Sequence, residues 1–453
     1  MMEWLPRLAV DGRPKYLAIV EALAADIRDG RLEPGCRLPP QRLLAERLGV
    51  DLTTVTRAFN EARRRNLIDA AAGRGSFVRT ASPAIEVAAD ATIDMSMNAP
   101  PQPAWLAERL AGTVREVLTP AAGTLRLHYQ DSAGTTADRA AAAGWLGRRL
   151  GPVAPERVMV AAGAQNALHA VLATLLRPGD ALCAGTLTYP GLRAVADRLA
   201  LRILPLPLDA DGLDADAFAE ACRRHAPRAL YLVPTLHNPT TATMPAGRRE
   251  AIVAVARRHG VAIVEDDAYG ALATAGPPPL AALAPDIVWH VATLSKCATP
   301  ALRLAYVAAP GLEGVLRLAA ETRSTILMAP PLMAAVASRW IGDGTLAELA
   351  AAIRAENRAR QELARRLLPE ADFAAGAEAP HLWLRLPGRR GELVAEARRS
   401  GLAIVPSDAF VTGDAAPEAV RVSLGIALDR GVLERGLRLL AALLARRPAA
   451  AIV

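Results

Sequence analysis

From about residue 150 to residue 307 the chain alternates short apolar runs with stretches of helical periodicity, and this rhythm constrains its fold more than any other feature. The runs are Val158-Met159-Val160, Ala181-Leu182-Cys183, Ile203-Leu204, Leu230-Tyr231-Leu232-Val233, Val261-Ala262-Ile263-Val264, Val288-Trp289-His290-Val291 and Leu304-Ala305-Tyr306-Val307. Alternation of this kind predicts an α/β architecture, a mostly parallel sheet with helices on both faces. Ligand sites in such sheets lie beyond the carboxyl ends of the strands. The last part of the chain, about 335–446, reads as a smaller α+β lobe ending in a long helix around Leu433–Leu444.

Residues 12–80 follow a different pattern. After Pro14 the apolar residues Tyr16, Val20, Leu23 and Ile27 recur at helical spacing, and Gly30 closes that helix. A second helix is expected from Gln41 to Leu48, stopping at Gly49, and a third from about Thr53 through Val55, Phe59 and Ala62. Two extended pieces follow, Leu67-Ile68-Asp69 and Ser76-Phe77-Val78, joined by Gly73-Arg74-Gly75. Three helices and a glycine-containing hairpin make an all-α unit with a wing, the winged helix-turn-helix plan. Residues 81–98 read as a linker, short enough for the two units to communicate sterically. The second unit is expected over 99–446.

The formal charge of +7 tolerates a polyanionic partner without requiring one. Cys36, Cys183, Cys222 and Cys297 are scattered and form no CxxC pair, so neither disulfides nor a metal site is expected. The N-terminus lacks a basic stretch followed by an apolar core, and no apolar run reaches the roughly 18 residues of a membrane span. A cytoplasmic address is the expectation.

Among 53 basic residues only Lys15 and Lys296 are lysines. Arginine replaces lysine in most ion pairs, but its guanidinium stays protonated and forms no Schiff base. Lys296, in Thr293-Leu294-Ser295-Lys296-Cys297, follows an expected strand and suits an aldehyde cofactor held as an aldimine. Thr293, Ser295 and Arg303 are residue types that bind its phosphate. Upstream, Val264-Glu265-Asp266-Asp267-Ala268-Tyr269 puts carboxylates at the end of the preceding strand. A buried carboxylate facing a pyridine nitrogen keeps the ring protonated and electron-withdrawing. Asp266 takes that role, since Tyr269, three residues on, then reaches the ring hydroxyl; Asp267 is the lesser choice. Asn238 suits the same ring oxygen and, with Arg421, a substrate carboxylate. Ala164 and Gln165, after Gly163, open a helix whose N-terminus suits a phosphate. Tyr189 can lay its ring on the pyridine. Each signal is weak alone; their order along the chain carries the weight.

Two resemblances follow from these residues. Gly35-Cys36-Arg37-Leu38-Pro39-Pro40-Gln41-Arg42, Leu48-Gly49-Val50, Thr53 through Phe59 and Gly73 through Val78 resemble the winged helix-turn-helix of the GntR superfamily over nearly all of 12–80. The resemblance implies double-stranded operator DNA as partner. Arg42 matches the family's DNA-contacting arginine, Thr53, Thr54 and Arg57 lie in the first turns of the recognition helix, and Arg74 lies at the wing tip. Where relatives often have Ser-Arg, this chain has Asp51-Leu52. The series Gly163, Tyr189, Asn238, Asp266, Tyr269, Lys296, Arg303, Arg421 resembles the type I fold of pyridoxal-phosphate-dependent aminotransferases over about 99–446. It implies pyridoxal 5'-phosphate (PLP), the catalytic set Lys296, Asp266 and Tyr269, and a homodimer in which Tyr129 reaches the other subunit's phosphate. Ala301, Ala305 and Thr241 stand where relatives often have glycine.

Together the two point to the MocR-type regulators of the GntR superfamily. The implied function is a PLP-dependent transcription regulator that senses an amino compound or PLP through Lys296. The alternative is an active aminotransferase with a fused DNA-binding domain.

Overall fold

A computed structural model describes residues 4–6, 14–32, 35–64, 67–71, 75–78, 92–119, 128–426 and 429–446. The chain divides into two units, Met1–Ala91 and Thr92–Val453.

In the first unit the helices are Lys15–Arg28, Gln41–Leu48 and Leu52–Arg64. Gly49 takes φ 59°, a left-handed turn that ends the second helix at little cost to glycine. The third helix buries Val55, Ala58, Phe59 and Ala62, one stripe at helical spacing, against Ile19, Val20 and Leu23 of the first. Fully burying a side chain like Phe59 is worth roughly 1.5–3 kcal/mol. The strands Ile68–Ala71 and Gly75–Val78 pair antiparallel, and the chain at Gly35–Leu38 hydrogen-bonds along the second of them. Arg74, the expected wing-tip contact, lies outside the described residues.

The second unit is built on a seven-stranded sheet. Its order is Val158–Ala161, Ala305–Ala308, Val288–Thr293, Ala262–Asp266, Ala229–Leu232, Ala181–Gly185, Arg202–Leu206. Only Ala305–Ala308 runs antiparallel to its neighbours. Every apolar run named from the sequence falls on one of these strands. Alternate strand residues feed opposite faces: Tyr231, Val264 and Val291 pack under Ala164–Leu175, Pro190–Arg198 and Leu312–Thr325, whereas Leu230, Ile263 and Val288 face the other layer of helices.

A smaller lobe carries a four-stranded antiparallel sheet, Phe373–Ala374, His381–Arg385, Ala419–Ser423 and Val405–Pro406, packed on Arg390–Arg399 and Arg430–Ala445. Its limits differ from the expected 335–446. The helix Pro331–Gly342 puts Ala334, Val336, Ala337 and Trp340 into the core of the large sheet, so that helix belongs there. The small lobe instead recruits chain from the expected linker. Ile93–Asp94 pairs with Leu402–Ala403, Met95 is fully buried, and Ser423 donates to the Met97 oxygen. Residues 92–98 are thus part of the folded second unit; their short alternation left no periodic signal to read.

Gly425 holds this segment in place. A Cβ there would fall 1.8 Å from the Ala99 oxygen, a contact no rotamer relieves. Gly425→Ala is expected to destabilise the second unit by about 1–3 kcal/mol and to lower the retained PLP, because Asn98 must move with Ala99. Thermal melts and cofactor absorbance check both effects.

Candidate functional site

The carboxyl ends of the central strands meet the small lobe at a cluster of buried polar side chains. Asp266 closes the strand Ala262–Asp266, is almost wholly buried, and accepts a hydrogen bond from the Tyr231 hydroxyl on its Oδ2 at 2.7 Å. Its Oδ1 is buried and, among the described residues, has no hydrogen-bond partner. Burial raises its carboxyl to about 6, against the Tyr231 hydrogen bond and with the help of Asp267. Asp267 points elsewhere and pairs with Arg149 at 3.1 Å, which supports the choice between the two acids.

Lys296 sits on the short helix Leu294–Cys297, and its amine donates to the main-chain oxygen of Asn98. Burial lowers its amine to about 8, with Arg421 and Arg303 acting in the same direction and Asp266 against them. These four charged groups therefore lie within electrostatic reach of one another. A primary amine lowered this far has a larger unprotonated, nucleophilic fraction near neutrality than an ordinary lysine.

Arg421, on the strand Ala419–Ser423, donates to Asn238 Oδ1 at 2.8 Å and to the Ser96 oxygen, and lies 4.9 Å from the Phe410 ring centre. All its oxygen partners are neutral. Tyr269 is buried, its hydroxyl accepts from Asn98 Nδ2 at 3.1 Å, and burial raises its phenol. Asn98 also bonds His381 Nδ1 at 2.9 Å, and burial holds that imidazole well below its usual value, so it stays neutral.

At the other end, Gly163 takes φ 86° and starts the helix Ala164–Leu175. A Cβ at Gly163 would stand 3.1 Å from Arg303 Nη2, so the guanidinium lies across that helix N-terminus. A cation beside free N–H groups suits a phosphate dianion. Tyr189 donates to Gln165 Oε1 at 3.2 Å, and Gln165 donates to the Gly191 oxygen at 2.9 Å.

One expectation changes. Thr293 is buried, donates to the Leu304 oxygen at 3.2 Å and caps the helix bearing Lys296, so its hydroxyl is committed to the fold. Ser295 remains half-buried beside it. Tyr129 is 77% exposed. Sequence reasoning missed Asn98, Ser96, Tyr231 and His381. A tyrosine inside an otherwise apolar strand was the one available signal, for Tyr231; Asn98 was hidden in the supposed linker.

On the first unit, Arg42, Thr53 and Arg57 are exposed and Thr54 is half-buried. Arg57 lies over the Tyr16 ring, 4.1 Å from its centre, which orders the guanidinium at the surface. Asp51 accepts from the Thr53 main-chain N–H at 2.7 Å and from its hydroxyl, so it caps the recognition helix as the family's serine would. Leu52, at 38% exposure, takes the place of the expected arginine.

Burying an anionic Asp266 is costly when nothing answers its Oδ1. Because its folded-state carboxyl lies above its ordinary value, its contribution is fully present below pH 3.8 and is lost as pH rises through about 6, roughly 3 kcal/mol in all. Asp266→Asn is expected to raise the melting temperature of the cofactor-free protein at pH 7 and leave it nearly unchanged at pH 4. The same change should weaken PLP retention at least about tenfold, read by equilibrium dialysis.

Residues 15–78 match the bacterial regulatory proteins of the gntR family, and residues 90–440 match aminotransferase class I and II. The chain is 30% identical to the HTH-type transcriptional regulator YdeF of Bacillus subtilis, across 98% of this chain and 97% of that protein. It is 28% identical to the HTH-type pyridoxine biosynthesis transcriptional regulator PdxR of Corynebacterium glutamicum, across 64% and 65%. Among solved structures it is similar to LysN, an α-aminoadipate aminotransferase from Thermus thermophilus complexed with N-(5'-phosphopyridoxyl)-L-leucine. There the TM-score is 0.72 and the identity 26%, across 79% of this chain and 92% of that one. The chain belongs to the MocR-type regulators of the GntR superfamily, in which a GntR winged helix is fused to an aminotransferase class I and II domain of the type I fold, whose cofactor is PLP.

Proposed function

We propose that this transcription regulator senses a small amino acid at Lys296 and converts occupancy of that site into a change in affinity for operator DNA. The observation that carries the reading is the buried Lys296 amine, lowered to about 8 and set among Asp266, Arg303 and Arg421. Bound PLP supplies an aldehyde that condenses with primary amines and a ring that withdraws electrons. The residues fit it. Asp266 Oδ1, buried and without a partner among the described residues, would accept the ring N–H; Arg303, Ser295 and the helix N-terminus at Ala164 would hold the phosphate; Tyr189 would cover the ring, and Tyr269 and Asn238 would lie at its hydroxyl side.

Arg421 selects the ligand. It now holds a neutral amide oxygen and a neutral carbonyl, and a ligand carboxylate is the stronger acceptor for a guanidinium. Its arrival would draw Arg421 off the Ser96 oxygen, and a Lys296 amine not engaged by the cofactor is placed to hold the Asn98 oxygen. Both carbonyls belong to residues 92–98, the chain that continues directly from the linker. Ligand occupancy thus changes the hold on the linker's end, and the linker passes that change to the DNA-binding unit. A homodimer, with Tyr129 serving the other subunit's phosphate, and a cytoplasmic location complete the proposal.

The sensing test uses full-length protein, DNA selected by that protein from a random pool, and a panel of amino acids. At least one amino acid should perturb the cofactor spectrum and shift DNA affinity about tenfold. Lys296→Ala should lose both responses while still binding DNA. Spectral responses with no accompanying change in DNA affinity, together with sustained transamination, would favour the enzyme reading instead.

Arg57→Ala should weaken binding to the selected DNA by about 1–3 kcal/mol, or reduce the salt dependence by about one phosphate contact, with PLP content unchanged. Fluorescence anisotropy at several salt concentrations separates the two outcomes, and equal affinity and slope would remove Arg57 from the interface.

A further inference from the structure

Strand Ala262–Asp266 leaves the sheet with two successive carboxylates, and the strand's alternation sends them to opposite faces. Asp266 joins Tyr231 on the cofactor side. Asp267 turns into a cavity of about 210 Å³ between the helices Thr136–Leu150 and Thr345–Leu367. A water needs only about 10–15 Å³ by the same measure, so the space admits a small organic molecule.

The floor of the cavity is a built polar array. Asp267 accepts from Arg149 Nε at 3.1 Å and Nη2 at 3.4 Å, and His290 Nε2 stands 3.7 Å from the same carboxylate. On its other nitrogen His290 meets Glu265 at 2.9 Å, and both are buried. Gly270 leaves room for this arrangement, since a Cβ there would fall 2.1 Å from Asp267 Oδ2. Above the floor the walls are apolar, from Trp145, Leu346 and Ala350. The rim carries Arg148 and Arg354; Arg354 donates to the Ala271 oxygen at 3.1 Å, and among the described residues neither arginine pairs with a carboxylate.

We infer that this cavity is a second ligand site, separate from the cofactor site, for a small carboxylate with an apolar body. Three guanidinium groups face one acidic side chain, which leaves positive charge for an anion to answer. Planar guanidinium forks match a carboxylate bidentately. The apolar walls reward a hydrocarbon body over a wholly polar anion. The site also has a mechanical reach. The helix Thr345–Leu367 runs from the cavity into the small lobe, where Arg360 donates to the Leu424 oxygen at 2.7 Å and Glu356 pairs with Arg430 at 2.7 Å. A ligand bridging Arg354 to Arg149 would tie that helix to the helix Thr136–Leu150 of the large lobe, and so restrain the small lobe.

The test is calorimetry on full-length, PLP-loaded protein with benzoate and with its neutral isostere benzamide. Benzoate should bind, and benzamide should bind about tenfold more weakly or not at all. Arg354→Gln should weaken benzoate about tenfold. So should Ala347→Glu, an exposed position at the mouth where the new carboxylate repels the ligand and glutamate suits a first helical turn. Arg421→Ala, in the cofactor cleft, should leave benzoate affinity as it was. Ala347 is exposed and Arg354 half-buried, and a thermal melt verifies that both cavity variants fold. Absence of benzoate binding at millimolar concentration, or wild-type affinity in either cavity variant, overturns the proposal.

Discussion

The second unit is organised around a carboxylate that the fold buries and only half satisfies. Asp266 holds Tyr231 with one oxygen and leaves the other with no partner among the described residues. An orphaned buried acceptor is unfavourable by about 1–3 kcal/mol, and folded proteins retain one where something else answers it. A protonated ring nitrogen is such an answer. The rest of the site follows from this constraint. Lys296 stands within electrostatic reach of Asp266, Arg303 and Arg421, and burial lowers both the Lys296 amine and the Arg421 guanidinium. Under the proposed function the cofactor phosphate would answer Arg303, and a ligand carboxylate would answer Arg421.

Much of this arrangement was legible in the sequence because strand ends and helix starts are local. Seven apolar runs located the sheet, and the residues just past three of those strands, Asn238, Asp266 and Lys296, could be placed beyond its carboxyl edge. Thr293 departs from expectation for a local reason too: its hydroxyl caps the next helix, and a threonine that caps is indistinguishable in sequence from one that binds phosphate. Asn98, Ser96 and His381 were illegible because their roles are made by contacts between segments about 300 residues apart in the chain, Asn98 to His381 and Arg421 to Ser96, which no periodicity encodes. Arg74 lies where nothing is described.

The departures from the family's habits have separable physical accounts. Asp51 replaces a serine with another good helix cap, so the recognition helix keeps its start while losing an arginine to Leu52. Thr241 occupies φ 64°, the left-handed region where glycine is at ease, and a residue with a Cβ is disfavoured there by roughly 1–2 kcal/mol. The turn persists because Thr241 is buried and its N–H donates to the His237 oxygen at 2.6 Å. Nothing in the structure explains Ala301 or Ala305 in place of glycine beyond the ordinary helical and strand conformations they adopt.

How large a signal this architecture can send is set by the contacts it exchanges. A ligand moves an equilibrium only by its differential affinity for the two states. Residues 92–98 are gripped by Arg421 at Ser96, by Lys296 at Asn98, and by Asn98 itself at Tyr269 and His381. Exchanging one or two charge-assisted hydrogen bonds of roughly 1.5–3 kcal/mol each, against partners of similar strength, leaves a net bias of about 1–3 kcal/mol. That corresponds to about a five- to 150-fold change in DNA affinity, enough for a switch and too little to unfold the site. An enzyme needs the same residues to let go at every turnover. Under the proposed function the segment need let go only once, and since Arg421 holds it through the neutral Ser96 carbonyl, an anionic ligand, the stronger acceptor, would displace it for as long as it is bound.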